Sequence, residues 1–220
     1  MARKYTITIG TKNWSSWSLR GWLALKATGA PFKEEIVQLH RATSSEAVKA
    51  VSPSGFVPIL SVEDAGKQFQ IWDSLAICEY LNEQHPQAQL WPDERSERAR
   101  ARAAVCEMHS GFLALRKQMP MDFARKIEGV EPNAETAQAI SRIGEIWEEA
   151  RGRNKAIGPY LFGRFTIADC FFAPVVSRFR TYGAALPRAS QDYAETIWAH
   201  PFIQEWLKGA EAEIANGHAG

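Results

Sequence analysis

Ser52-Pro53-Ser54-Gly55-Phe56-Val57-Pro58-Ile59-Leu60 decides how the chain is read. It is a turn that leads into a short apolar strand with proline at its entrance. Proline lacks a backbone N–H and sits badly inside a sheet, so Pro58 marks an edge or a strand start. A proline after an apolar residue at a strand start is also a candidate for a cis bond, a feature that usually serves a structural purpose. A cis Val57–Pro58 bond would turn the Val57 N–H and C=O outward, toward a peptide-like ligand. An ordinary trans proline on an edge strand is the alternative.

Upstream, Tyr5-Thr6-Ile7-Thr8-Ile9 alternates apolar and polar residues as a half-buried strand does. From Leu19 the period becomes helical, with Leu19, Trp22, Leu23 and Ala27 on one face, and Gly29-Ala30-Pro31 ends it. Phe32 to Val37 reads as a second strand and Ser44 to Val51 as a short helix. Ile59 to Val62 and Lys67 to Trp72 form a hairpin across Asp64-Ala65-Gly66. Ser74 opens a helix with Ile77, Tyr80 and Leu81 inward. His85-Pro86 ends it, and Leu90-Trp91-Pro92 reads as a linker. This places one domain at 1–86 and a second, all-helical one at 93–220. In the second, a long helix is expected from Asp93 to about Phe123, with Val105, Met108, Phe112, Leu115 and Met119 as a buried seam. Another runs from about Asn133 to Arg151 on Ile140, Ile143 and Trp147. Thr166-Ile167-Ala168-Asp169 is a helix-start signal, with Thr166 as cap and Asp169 bonding back to it. Pro174 lies inside that helix. Two last helices run near Ser190–Trp198 and from Pro201 to about Ile214.

The totals narrow the function. At 220 residues and 45% hydrophobic, the chain can bury a sizeable core. A formal charge of +1 calls for neither nucleic acid nor an acidic membrane. No apolar run approaches the roughly 18 residues of a membrane span. The start, Met-Ala-Arg-Lys, leads straight into a strand and does not read as a signal peptide. Three scattered cysteines, Cys78, Cys106 and Cys170, fit a reducing cytoplasm and read as small buried hydrophobes within helices. The five histidines show no ligand spacing, so no metal is expected.

A small mixed sheet with a proline before its third strand, followed by a helical half, resembles the soluble glutathione transferases. Four motifs carry the resemblance, in order. They are Ser15-Ser16-Trp17-Ser18-Leu19-Arg20, Val57-Pro58, Asp73-Ser74 and Thr166-Ile167-Ala168-Asp169. The architecture implied is a thioredoxin-like α/β N-terminal domain and an all-α C-terminal domain. The first motif is similar to the serine-type classes, zeta and theta above all. Zeta members read Ser-Ser-Cys-Ser-Trp-Arg there, so Ser15 falls on the catalytic serine and Trp17 replaces the cysteine. On that departure, isomerisation of maleylacetoacetate ranks second to conjugation of glutathione to hydrophobic electrophiles. A non-catalytic binding protein on the same fold is the rival from another class. A glutaredoxin-like exchanger lacks the cysteine it would need in the first loop.

The resemblance implies glutathione as co-substrate, a small hydrophobic electrophile as partner, and a two-fold homodimer. A free thiol titrates at about 8.5, and lowering that by roughly 2 takes about 2.7 kcal/mol. A hydroxyl donated to sulfur and the N–H groups at a helix start can share that work. Ser15, or failing it Ser16, is the expected thiolate donor, although Ser15 could simply cap the helix, as could Ser16 or Ser18. Ser74 is expected to meet the γ-glutamyl carboxylate and Asp73 the α-amino group. Val57, presented by Pro58, would pair its backbone with the cysteinyl part. His40 is a candidate for the glycyl carboxylate. Trp14, Trp17, Met108, His109 and Phe112 are expected around the electrophile. Arg20 either orients the loop or is an exposed or ion-paired helix residue.

Overall fold

The computed structural model describes residues 3–219; Met1 and Ala2, part of the expected lead into the first strand, and Gly220 lie outside the described residues. In β1 (Lys4–Gly10) the alternation sends Tyr5, Ile7 and Ile9 into the core at 2% exposure or less. α1 (Ser16–Ala27) carries the chain to β2 (Phe32–Val37), which pairs parallel with β1. After α2 (Ser44–Val51), β3 (Ile59–Asp64) runs antiparallel on the other side of β1, with Leu60 opposite Ile7. β4 (Lys67–Trp72) folds back on β3 through Ala65 and Gly66, both at positive φ, and the sheet order is β2-β1-β3-β4. α3 (Ser74–Gln84) packs beside α1, with Ile77, Cys78 and Leu81 buried in the same core as Ile7 and Leu60.

The helical half comprises α4 (Arg95–Ser110), α5 (Leu113–Gln118), α6 (Ala134–Asn154), α7 (Ile167–Tyr182), α8 (Arg188–Ala199) and α9 (Pro201–Ala215). α7 is its axle. Almost every residue from Ile167 to Phe179 is buried, and Trp147 of α6 sets its ring edge-on to Phe172, Phe179 and Tyr193. The fold class is the one expected, a small mixed sheet with helices followed by a helical unit.

Three local expectations fail for identifiable reasons. The long helix from Asp93 to Phe123 is two helices, broken where Gly111 is extended and Phe112 is left-handed (φ 59°). The Arg116 side chain folds back onto the carbonyls of Met108 and His109, which end α4 without helical partners. Val105, Met108, Leu115 and Met119 are fully buried as a seam, but the turn leaves Phe112 only half-buried. Cys106 is exposed, on the outward side of α4, unlike Cys78 and Cys170. α1 is buried on all sides from Ser18 to Leu25 rather than on one face. It lies between the sheet, α3, α7 and α9, so no solvent face remains to show a period. Among the described residues no helix is long and apolar enough to cross a membrane.

Candidate active site

The start of α1 is built by a relay of short contacts. Thr11 C=O accepts from the N–H groups of Trp14 and Ser15 (3.1 and 2.9 Å), which turns the chain out of β1. Ser15 is the N-cap: its Oγ accepts from the Ser18 N–H (3.4 Å) and donates to Ser18 Oγ (2.7 Å). Ser18 Oγ accepts in turn from Gly10 N–H (3.0 Å), tying the helix start to the end of β1. Ser18, in the sequence only a possible cap beside Ser15 and Ser16, organises the turn. The Ser16 hydroxyl and the Trp17 N–H have no partner among the described residues. One hydroxyl and one helix-start amide are therefore free beside a second hydroxyl that serves as the cap.

The Val57–Pro58 bond is cis. Before it, Ser52 closes its turn by donating to Phe56 C=O (2.7 Å) and accepting from Phe56 N–H (3.2 Å). The ladder resumes only at Ile59, so Val57 N–H and C=O have no partner among the described residues. At the start of α3, Asp73 is held at φ 72° and its Oδ1 accepts from Leu75 and Ala76 N–H (2.7 and 3.3 Å). Ser74 Oγ is buried and has no hydrogen-bond partner.

Trp17, Val57, Pro58, Asp73 and Ser74 line one cleft of about 480 Å³, together with Phe56 and Trp72. Phe56 and Trp72 are 76% and 48% exposed and went unremarked in the sequence. Large apolar side chains left open to water at a cleft were the signal that residue type alone does not show. Ser15 and Ser16 do not line the cleft themselves; they directly precede Trp17, which does. A wider hollow of about 1160 Å³ runs over the strand ends, but its Lys4–Glu63 charges are already paired at 3.0 Å, and it gathers no comparable set of free donors.

Behind Trp17 lies a cluster of cations. Arg20 is fully buried, neither exposed nor ion-paired as expected. Its guanidinium carbon lies 4.3 Å from the Trp17 ring centre and 4.8 Å from that of Phe171, and none of its three nitrogens has a hydrogen-bond partner. Burial, reinforced by Arg116 and Arg178, pushes its pKa well down. Arg116 places its own guanidinium 4.6 Å from the Trp17 ring, and its Nε is unpartnered. His109 sets its ring against Trp17 (5.1 Å) and lies 3.2 Å through Nε2 from Asp73 Oδ2. Burial lowers the His109 pKa; Asp73 pulls it up, and Arg20 and Arg116 push it down. Arg116 was missed because its role depends on the break at Gly111. Of the other expected pocket residues, Met108 is fully buried in the core and Phe112 stands at that break. Trp14 sets its ring edge-on to exposed His40 (4.8 Å); these two meet each other and neither lines the cleft.

The model of the glutathione S-transferase N-terminal domain matches residues 14–84, and that of the C-terminal domain residues 131–209. The chain belongs to the glutathione S-transferase family. Two relatives are isomerases by name. The maleylpyruvate isomerase of Ralstonia sp is 31% identical over 165 residues, 73% of this chain and 76% of its own. A Caenorhabditis elegans protein named "Probable maleylacetoacetate isomerase" is 34% identical over 199 residues, 84% and 88% of the two chains. A maleylacetoacetate isomerase from Anaeromyxobacter dehalogenans, solved with GSH bound in its active site, superposes with a TM-score of 0.68 at 21% identity. The match covers 95% of this chain and 98% of that one, and it shows the fold. The ranking of conjugation above isomerisation drawn from Trp17 is therefore not supported: relatives named as isomerases back the second-ranked reading better than the first. Among the described residues no cluster of histidine, cysteine or carboxylate side chains could hold a metal ion.

Proposed function

We propose that this protein is a glutathione-dependent cis–trans isomerase acting on a small unsaturated acid that bears carboxylates. The observation that carries the reading is the set of unpartnered nitrogens around Trp17: those of the Arg20 guanidinium, Arg116 Nε and the buried Nδ1 of His109. An uncharged hydrophobic electrophile would leave them all unanswered. A carboxylate at Arg116 and His109, in the field of Arg20 behind them, would not. Two relatives named for isomerising maleyl compounds support the same substrate class.

The free groups suit glutathione. Ser74 Oγ, an orphaned buried hydroxyl at a helix start, would take the γ-glutamyl carboxylate, with Asp73 on the ammonium. Val57 would add its backbone to the cysteinyl unit, and His40 would reach the glycyl carboxylate. Glutathione supplies a thiolate that adds to the double bond and departs after rotation, so it is regenerated. The Trp17 N–H would hold the sulfur anion together with the Ser15 hydroxyl, whose proton would turn from Ser18 Oγ to the sulfur, or with the free Ser16 hydroxyl. A two-fold dimer is part of this reading, supported by Phe69 and Trp72 standing open on edge strand β4; sedimentation tests it.

Conjugation is the second reading, favoured by the rings of Trp17, Phe56 and Trp72 on the cleft. One assay decides: cis-unsaturated dicarboxylic acids and aryl halides are each incubated with the protein, and product and remaining glutathione are both measured. Isomerised acid with glutathione undiminished is expected. Glutathione lost mole for mole with an aryl halide, and no isomerisation, would replace isomerase with transferase. Glutathione bound with neither reaction would leave a binding protein. Ser15→Ala should lower turnover at least tenfold, about 1.4 kcal/mol; if only Ser16→Ala does so, the sulfur belongs to Ser16.

A further inference from the structure

The loop that carries Ser15 is held from the other end of the chain. Lys12 and Asn13 lie between β1 and α1 and belong to neither. Glu213, in the last turns of α9 and only 6% exposed, accepts from Lys12 N–H through Oε1 (2.9 Å) and from Asn13 N–H through Oε2 (3.1 Å). Two successive amides thus point at one carboxylate, an anion nest filled by the protein's own side chain. Trp206 of the same helix donates through its indole N–H to Lys12 C=O (2.9 Å). The loop between α5 and α6 completes the hold: Phe123 N–H donates to Asn13 C=O (3.0 Å), and Asp122 accepts from the Asn13 amide (2.7 Å). Every backbone polar group of residues 12 and 13 is answered by the helical half. Ser15 follows two residues later.

We infer that Glu213 is a positioning residue for the thiolate: by fixing the amides of Lys12 and Asn13, it sets where the Ser15 hydroxyl and Trp17 N–H stand relative to the sulfur. The inference rests on the proposed reading that the sulfur lies at the start of α1. A carboxylate suits this task because it alone among side chains offers two equivalent anionic acceptors to two neighbouring amides. Glutamine keeps the shape but has one acceptor oxygen, so one of the two amides must lose its partner.

The test uses the full chain with glutathione, in the wild type, Glu213→Gln and Glu213→Ala. The ultraviolet absorbance of the thiolate is followed against pH, and amide hydrogen exchange at Lys12 and Asn13 is measured without glutathione. The titration midpoint of the bound thiol should rise by about 1 toward its free value of about 8.5 in Glu213→Ala, with Glu213→Gln between. Exchange at both amides should quicken. Glutathione affinity, carried by Val57, Asp73 and Ser74, should change less than threefold. A thiol that is lowered in the wild type and stays equally low in both folded variants overturns the positioning role alone. A thiol that is not lowered in the wild-type complex overturns the sulfur reading and the role with it, whatever the exchange rates do. If Glu213→Ala fails to fold, the isosteric Glu213→Gln decides.

Discussion

Two helices begin with an aspartate and a hydroxyl residue within the first turn, and they are finished in opposite ways. At α7, Asp169 is fully buried and accepts from Thr166 N–H (2.8 Å), Thr166 Oγ1 (3.1 Å), Leu161 N–H (3.2 Å) and Tyr193 OH (3.1 Å). Nothing is left over. At α3, the Asp73 side chain is 44% exposed and spends one oxygen on the helix amides and the other on His109, while Ser74 Oγ is buried with no partner. An orphaned buried hydroxyl costs about 1–3 kcal/mol, and such groups are rare in native folds. The closed network explains a fold, whereas the open one calls for something that is not part of the chain.

If that contrast is right, the largest stability effect belongs to α7. Asp169→Ala strands the amides of Thr166 and Leu161 and the Tyr193 hydroxyl in the core. Denaturant unfolding should show a loss of about 3 kcal/mol or more. A loss below about 1 kcal/mol would mean that the network is not what holds the α7 start. The pH dependence has a definite sign. Burial pushes the Asp169 carboxyl up to about 6, above its ordinary 3.8. Between those values the folded chain holds a proton that the unfolded chain has released. The contribution of this group is therefore full below about pH 4 and falls as pH rises through 6. Asp169→Asn lacks that titration, so the wild type's advantage over it should shrink from pH 4 to pH 7, by something on the order of 3 kcal/mol or less.

At α3 the expected signs reverse. Ser74→Ala removes a group that already lacks a partner, so thermal stability should hold or rise slightly. Affinity for glutathione, measured by calorimetry, should fall about tenfold, or 1.4 kcal/mol. A variant that loses stability and keeps its affinity would place Ser74 with Asp169 among the structural groups and remove the carboxylate donor from the proposed site.

Both helix starts could be read in the sequence because caps are local: Thr166 and Asp169 are three residues apart, and Asp73-Ser74 follows a hairpin with its own turn residues. The sheet was legible for the same reason, since Tyr5, Ile7 and Ile9 carry the period that buries them. Arg20 was not legible. Its burial depends on α7 bringing Phe171, which lies far along the chain, over α1, and an arginine in a helix reads as exposed until that partner is known. Arg116 depends on one glycine, Gly111, whose extended backbone turns α4 into α5; the apolar steps from Val105 to Met119 run straight through it. The clamp by Glu213 joins residues 200 apart in the chain, a distance over which no spacing rule operates.

The finest probe of the open helix start is His109, through which the helical half touches Asp73. Burial, with Arg20 and Arg116, holds its imidazole below the ordinary 6.5, and Asp73 opposes them. For a base lowered in this way, the folded chain binds less proton than the unfolded one between the two values, so its contribution is full above pH 6.5 and is lost as pH falls through the folded value. Removing the opposing charge in Asp73→Asn should lower the His109 midpoint further in a proton NMR titration of the ring. Glutathione added to the wild type should act in the same direction, because an ammonium at Asp73 would cancel the charge that His109 feels. A His109 midpoint indifferent to both changes would detach it from Asp73 and leave the α3 start facing only the cleft.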